Sequence, residues 1–497
     1  MKPPRQIVVV MTDTQRWDMV GCYGNPALRT PALDALASQG VRFDRAYTCQ
    51  PVCGPARAGL FTGTWPHGNG GWANSLPLGD NVKTLGQRFR DHGFRCGHIG
   101  KWHLDGSDYF GLGRAPDGWD PSLWYDMRNY LEELGPDERR RSRRVESNRE
   151  GGVTREFTFG HRCSNRAIDF LSKHAGEDFL LVVSYDEPHG PFLCPPEYRR
   201  MFEGFEFPVR RNVHDSLEDK PETHRLWAGR RPPAPGEPFR VVFPDYFGCN
   251  AFVDSEIGRV LEAVDRHAPG ALVVYTSDHG DGLGAHGIWN KGPAMYDEIA
   301  RIPMIVRWPG RAPAGAVCPH PVSHIDLVPT LLEAAGLPAA KALDGRSMLA
   351  TVREPTRPAR DVVFVEFGRY EVDHDGFGGF QPVRAAFDGR LKLVVNLLST
   401  DELYDLAADP DEMVNRIGDP ALAAARDALH DRILAWMNET RDPFRGYYWE
   451  RRPWRTDARP ASWAYTGWTR QRENEEYEPR QLDYSTGLPM VEASRRK

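Results

Sequence analysis

The chain has 497 residues, 40% of them hydrophobic and 27% charged, with a formal net charge of −6. That length exceeds what a single hydrophobic core usually serves, so one large domain with a smaller companion is expected, and the charge offers nucleic acid no general attraction. The opening MKPPRQIVVVMTDTQ holds an apolar run too short for a secretory signal, and nothing later nears the roughly 18 apolar residues of a membrane span; a cytoplasmic protein without membrane or nucleic-acid partners is the expectation.

Taken in chain order, IVVVM reads as a strand that ends in Thr12-Asp13-Thr14. Thr30 can cap, and Pro31 open, a helix through ALDALASQ that stops at Gly40. TLGQRFRDHG predicts a second helix ending at Gly93. FLLVVSY is a strand followed by Asp186-Glu187-Pro188-His189, and ALVVYTS one followed by Asp278-His279-Gly280-Asp281. IPMIVRWPG adds a strand and HIDLVPTLLEAAG a helix that stops at Gly336. These strands lack polar alternation, the mark of a mostly parallel central sheet flanked by helices on both faces.

Near residue 355 the pattern changes. VVFVEFG and LKLVVN read as strands and residues 420–438 as a long Ala/Leu helix, so residues 1–355 are expected to form the large domain and 356–440 a smaller C-terminal α+β subdomain. Residues 441–497 form an extended tail rich in aromatics and arginine. Its Trp449, Trp454, Trp463 and Trp468 need cover, which implies packing on the body or on a neighbouring subunit of a homo-oligomer. GPDERRRSRRVESNREGG and GRRPPAPGEP are expected as surface loops outside any core.

Ligands of open α/β sheets bind outside the carboxyl ends of the strands, and three strand ends here are unusually polar. If those strands are neighbours, Asp13, Asp278 and His279 converge on a site for a divalent cation, calcium or manganese by its hard donors. Singly, each of these residues is an ordinary cap or turn. The eight cysteines are scattered, which suits a reducing compartment and buried thiols. Cys49 and Cys53 have no second Cys or His pair at finger spacing, which argues against zinc.

Cys53-Gly54-Pro55-Ala56-Arg57, continuing as AGLFTG, resembles the C-x-P-x-R signature of the type I sulfatases. The resemblance runs over roughly residues 5 to 438. It includes GKWHL at 100–104, PHGPF at 188–192, the segment SDHGDGLGAHGIWNKGPAMYDEIARIPMIVRWPG and the ending ELYDLAADPDEMVNRI. It implies an alkaline-phosphatase-like fold and oxidation of Cys53 to formylglycine by a maturation enzyme. It also implies one divalent ion, calcium or manganese with magnesium also compatible, on Asp13, Asp278, His279 and residue 53. The diol made from Cys53 would attack the sulfate, with Asp278 assisting its deprotonation and Arg57 and Lys101 supplying positive charge. By the same resemblance His189, helped by Lys291, protonates the leaving alcohol and His103 takes a proton to release sulfate. Lys101, His189 and Lys291 would also touch the substrate. Asn74, 21 residues beyond Cys53, resembles a substrate-contacting asparagine of some relatives, with a loop hydrogen-bonding role as its alternative.

Two departures bear on the metal. Many members carry a second acid where Thr14 stands, and asparagine where His279 stands, so Thr14 or Gln15 is left to complete the shell through oxygen. The implied reaction is hydrolysis of a small sulfate monoester, aryl, alkyl or sugar. A phosphonate monoester or phosphodiester hydrolase with the same machinery is the alternative, although such relatives tend to carry hydroxyl residues where Lys101 and His103 stand. A catalytically inactive binding protein on this fold is the alternative of another class.

Overall fold

The computed structural model describes residues 5–455 except 80, 107–108, 230–236, 341 and 372–378, together with 482 and 484–488. Residues 230–236 of GRRPPAPGEP lie outside the described residues, as do Trp463 and Trp468.

Seven strands form the central sheet: β1 Gln6–Thr12, β2 Val41–Phe43, β3 Arg95–Gly100, β4 Phe179–Ser184, β5 Leu272–Ser277, β6 Met304–Arg307 and β7 Ala316–Cys318. Their order is β3-β4-β1-β5-β6-β2-β7. The first four run parallel. β6, the IPMIVR run, is antiparallel to both β5 and β2, so the sheet is mixed at one side. Alternate residues of β1 enter two different cores. Ile7, Val9 and Met11 pack with the helices Cys53–Thr62, Leu85–Arg90 and Leu327–Ala334, whereas Val8 and Val10 pack with Pro31–Ser38, Phe159–Lys173 and Pro244–His267. Burial on both faces is why the apolar runs are unbroken.

The helices begin near the predicted positions, but one cap comes from elsewhere. Thr84 and Gln87 form a reciprocal capping box at Leu85–Arg90. Thr30, by contrast, makes no side-chain cap on Pro31–Ser38; its hydroxyl accepts from Gly21 N (2.7 Å). Asp254, on the helix Pro244–His267, caps instead, accepting from Ala32 N and Leu33 N at 3.0 Å each. The arginine-rich segment also contains two short helices, Pro136–Arg141 and Ser147–Glu150. The first has proline at its start, Asp137 and Glu138 in its first turn and arginines in its last, an order that suits the helix dipole.

The four strands β8 Val363–Phe367, β9 Val383–Phe387, β10 Leu391–Asn396 and β11 Glu402–Asp405 form an antiparallel sheet in sequence order. The helix Ala423–Glu439 packs on it, and its Ile433, Trp436 and Met437 share a core with Cys49, Trp65 and Ile325 of the larger part. Arg384 joins Asp442 (2.6 Å) and Glu366 (3.9 Å), and Glu366 also binds His67 across the same junction. Of the tail, Trp449 is buried and gives its indole N–H to Phe444 O (2.7 Å), while Trp454 gives its own to Asp401 (2.7 Å). Both therefore pack on the chain's own C-terminal sheet and helix. Among the described residues no helix is long and apolar enough to cross a membrane.

Candidate active site

The strand register gathers the site. Gly100 pairs with Ser184, Ser184 with Met11, and Thr12 with Ser277, so the carboxyl ends of β3, β4, β1 and β5 stand level. Lys101, Asp186, Asp13 and Asp278 follow those ends within two residues. Gly100 has φ +121°, and a Cβ there would lie 1.9 Å from Ser184 O. Only glycine lets β3 approach β4 so closely as it turns to deliver Lys101.

Residue 53 enters from the other face of the sheet. It opens the helix Cys53–Thr62, all ten residues of which are buried. Small residues permit that: a Cβ on Gly59 would meet Cys49 Sγ at 2.3 Å. The first turn points its positive end at the site. Asn74 Oδ1 accepts from Gly54 N (2.8 Å), while Asn74 N donates to Tyr370 O (2.9 Å). The asparagine thus fixes the start of the residue-53 helix and links it to the segment that follows β8, which brings Tyr370 close enough for its phenol to feel Lys291 and Cys53. All eight cysteines are free, and seven, Cys53 among them, are buried.

Arg57, one turn after Cys53, is fully buried beneath the strand ends. It donates to Asp13 Oδ2 (3.2 Å), Asp278 Oδ2 (3.1 Å), Lys101 O (2.8 Å) and Ser184 Oγ (2.8 Å). One oxygen of each aspartate is held back this way, and the other faces Cys53. His279 Nε2 lies 3.9 Å from Asp13 Oδ1, 3.7 Å from Asp278 Oδ1 and 3.2 Å from Cys53 Sγ. Its Nδ1 faces Gly280 O at 2.8 Å, an acceptor, so Nδ1 carries a proton and Nε2 points inward, where it could give a lone pair to a cation once its own proton is lost. Ligand atoms of Asp13, Cys53, Asp278 and His279 all lie within 4.8 Å of one another. Two carboxylate oxygens and an imidazole nitrogen at these spacings suit a hard cation, whose oxygen ligands sit at about 2.3–2.6 Å for calcium.

Thr14, at φ +62°, donates through its hydroxyl to Asp13 Oδ1 (2.6 Å) and through its N–H to Asp278 Oδ1 (3.1 Å), so it lies at the edge of this cluster. Gln15 turns away: its amide nitrogen donates to Asn250 (2.5 Å) and its oxygen accepts from Thr12 and Tyr275. A second group of ligand types, His67, Glu366 and Asp442, surrounds Arg384, which ion-pairs with both carboxylates.

Lys101 Nζ is 2.8 Å from Asp13 Oδ2 and 3.0 Å from Asp186 Oδ1. Lys291 Nζ is 3.2 Å from His189 Nε2. His189 is half-buried, whereas Asp13, Arg57, Lys101, Asp278 and His279 have no exposed surface. His103, held at φ +61°, is buried, and its Nδ1 has no hydrogen-bond partner among the described residues.

The electrostatics follow from this crowding. Burial and Asp13 oppose ionisation of Cys53, yet Lys291, Lys101 and His279 outweigh them and hold its thiol well below the usual range. Burial also works against ionised Asp13, but Lys101, His189 and Arg57 keep its carboxyl low. Asp278 behaves oppositely: burial and neighbouring Asp13 push it up to about 7. Burial would lower His279, but Asp278 and Cys53 raise it to about 9. Burial lowers His103, offset only in part by a hydrogen bond to Cys53. The result is a buried cluster with positive charge gathered about residue 53.

Sequence motifs did not single out Tyr109. Its hydroxyl lies 2.7 Å from Lys101 Nζ, 2.5 Å from Asp186 Oδ1 and 3.0 Å from His189 Nδ1. Asp186 was visible as a polar strand end, but the tyrosine stands in a loop with no periodicity or motif to mark it.

A family model described as Sulfatase matches residues 5–337. The chain is also 47% identical to the uncharacterized sulfatase YidJ of Escherichia coli (strain K12), over 98% of this chain and 97% of that protein. The chain belongs to the sulfatase family. A second model, described as N-sulphoglucosamine sulphohydrolase, C-terminal, matches residues 284–439. Similar solved structures include a protein in complex with its substrate D-glucosamine-2-N,6-O-disulfate (TM-score 0.73, 21% identity, 89% of this chain and 99% of that one). The phosphonate monoester hydrolase of Agrobacterium radiobacter is also similar (TM-score 0.70, 23% identity, 88% and 96%). The sulfatase is a sulfuric ester hydrolase on the alkaline-phosphatase-like α/β fold. Overall shape barely separates the two solved structures, so the side chains must.

Proposed function

We propose that this sulfatase cleaves sulfate monoesters of small molecules, sulfated sugars foremost, with residue 53 as nucleophile after its oxidation to formylglycine. The observation that carries the reading is the set of cationic and imidazole groups about residue 53: Arg57, Lys101, His103 and Lys291, where a diester hydrolase would be expected to place neutral hydroxyls at 101 and 103. A sulfate in transfer spreads negative charge over its oxygens, and fixed donors in a dry site stabilise that charge most. The disulfated glucosamine named for one structural neighbour supports a sugar substrate.

Asp13, Asp278, His279 and residue 53 would hold a divalent ion, calcium or manganese by its donors, with Thr14 at the edge of the shell. Once bound, the ion would neutralise sulfate charge and lower the pKa of the nucleophile; the hydrated aldehyde would supply one hydroxyl for attack and a second to expel sulfate. The chain's own groups do the rest. Arg57 pins one oxygen of each aspartate, and the other, held by Thr14, is left on the side of His279. His189 Nδ1 faces Gly190 O (2.9 Å), so Nε2 is the nitrogen that gives a proton to the leaving alcohol, with Lys291 Nζ beside it. His103, kept neutral by burial, is suited to take a proton when sulfate leaves.

The test is hydrolysis of an aryl sulfate against an aryl phosphodiester by enzyme expressed with a formylglycine-generating enzyme, with peptide mass spectrometry of residue 53. Preference for the sulfate, an aldehyde at residue 53 and a folded but inactive Cys53→Ala variant are expected. A large preference for the diester would select the alternative hydrolase, and an unmodified thiol without turnover the inactive binding protein.

A further inference from the structure

We propose that Tyr109 is a positioning residue for the leaving-group acid: its hydroxyl fixes the His189 imidazole so that Nε2 meets the departing oxygen. This rests on His189 having the acid role described above. A phenol has one proton to give and two lone pairs to offer. Asp186 Oδ1, at 2.5 Å, is an acceptor and takes the proton. Lys101 Nζ, at 2.7 Å, is a donor and uses one lone pair. The second is left for His189 Nδ1–H, at 3.0 Å, which it shares with Gly190 O at 2.9 Å. All the hydrogen-bonding capacity of the hydroxyl is used, and each partner permits one direction of donation only. The Nδ1 proton therefore stays in place whether the ring is charged or neutral, and the proton given to the departing oxygen is the one the imidazolium carries on Nε2, beside Lys291; giving it leaves the Nδ1–H tautomer.

The ring is clamped as well as the hydroxyl. Lys101 Nζ lies 4.0 Å from its centroid, the His103 ring 5.2 Å and the Arg143 guanidinium 5.8 Å. Arg143 stands apart from its neighbours in the arginine-rich segment: Arg140, Arg141 and Arg144 each pair with an acid, whereas Arg143 lies over Tyr109 and Phe110 and makes no ion pair among the described residues. The phenol thus joins the residues that crowd the sulfate, through Lys101, to the residue that serves the alcohol, through His189.

Protonation of the leaving oxygen matters most for basic alcohols and little for acidic phenols, so the assignment is read from the slope of log kcat against leaving-group pKa. The panel runs from nitrophenyl sulfates to phenyl and alkyl sulfates, with wild type, Tyr109→Phe, His189→Ala and the double variant. Tyr109→Phe is expected to lose about 10- to 100-fold on the most basic leaving groups and less than about 3-fold on the most acidic, within the roughly 10²–10⁴ of a general acid. It should add little in the His189→Ala background. An equal loss across the panel, no loss, or full additivity with His189→Ala overturns the proposal. If His189→Ala itself leaves the slope unchanged, the acid role of His189 has failed, and the role of Tyr109 with it. A steeper slope in His189→Ala but not in Tyr109→Phe removes only the tyrosine. Thermal melts of all four proteins separate these outcomes from misfolding.

Discussion

Replacing Lys101 by methionine keeps the buried stem and removes the charge. The ammonium sits 2.8 Å from Asp13, 3.0 Å from Asp186 and 2.7 Å from Tyr109, with none of its side chain exposed. Among the described residues Asp13 Oδ2 would be left with Arg57, at 3.2 Å. A hydrogen bond to a charged group contributes about 1.5–3 kcal/mol, and breaking a buried ion pair from one side costs about 3–5 kcal/mol. If that loss falls on the transition state, kcat/KM for a sulfate monoester drops about 10²- to 10⁴-fold. The pH profile gives a second reading. Burial works against the Asp13 carboxylate, and Lys101 is the foremost charge holding it low. A depressed carboxyl stays ionised until pH falls through its folded value; removing Lys101 raises that value, so protonation sets in sooner on acidification. The acid limb of kcat/KM should move to higher pH. Rates on an aryl sulfate between pH 4 and 9, with circular dichroism to confirm the fold, measure both effects. An unmoved acid limb with less than a tenfold loss would refute this account of Lys101.

Chelation should abolish turnover and lower the melting temperature, with calcium or manganese restoring both; a ligand at 100 times its Kd stabilises by about 2.7 kcal/mol, readable by scanning fluorimetry and native mass spectrometry. Gly100→Ala should give little soluble enzyme, because its methyl would fall 1.9 Å from Ser184 O at a positive φ; a normal melting temperature and rate would contradict the close approach of β3 and β4. Burial pushes Asp254 up to about 7, so its contribution to stability is complete below the unfolded carboxyl pKa near 4 and is lost as pH rises toward 7. Asp254→Asn should flatten the pH dependence of melting over that window, while Asp254→Ala should cost about 1–2 kcal/mol through two lost caps at Ala32 and Leu33. Melts at pH 4 and pH 7 measure both variants.

What was legible in the sequence and what was not divides along the range of the forces involved. β1, β4 and β5 are continuous apolar runs because helices cover both faces, and the polar residues after them mark the site because the parallel register levels their ends. β3 carries the same structural weight but reads RCGHIG, with two glycines and a histidine, and does not read as a strand; only the GKWHL motif at its end stands out. Its His98 is tolerated because Trp102, Trp119 and Trp124, at 4.9–5.2 Å between ring centroids, with Phe61 nearby, enclose it, and burial lowers its imidazole to about 3. No local pattern encodes such a cage.

The same limit explains the helix cap. Thr30 satisfied the local rule for capping Pro31–Ser38, yet the two N–H groups went to Asp254, more than two hundred residues away, whose carboxylate supplies two acceptors where a hydroxyl would serve one. Asn74 carries the argument into the site. A substrate contact and a loop hydrogen bond were its two readings, and the bond observed is to Gly54 N, the first amide after residue 53. An asparagine that sets the start of this helix sets the direction of the residue-53 side chain, so its loss would disturb residue 53 whether or not it also touches the ester. Motifs at strand ends could be read because chemistry dictates their residue types; Tyr109 and Asp254 could not, because only the folded chain brings their partners within reach.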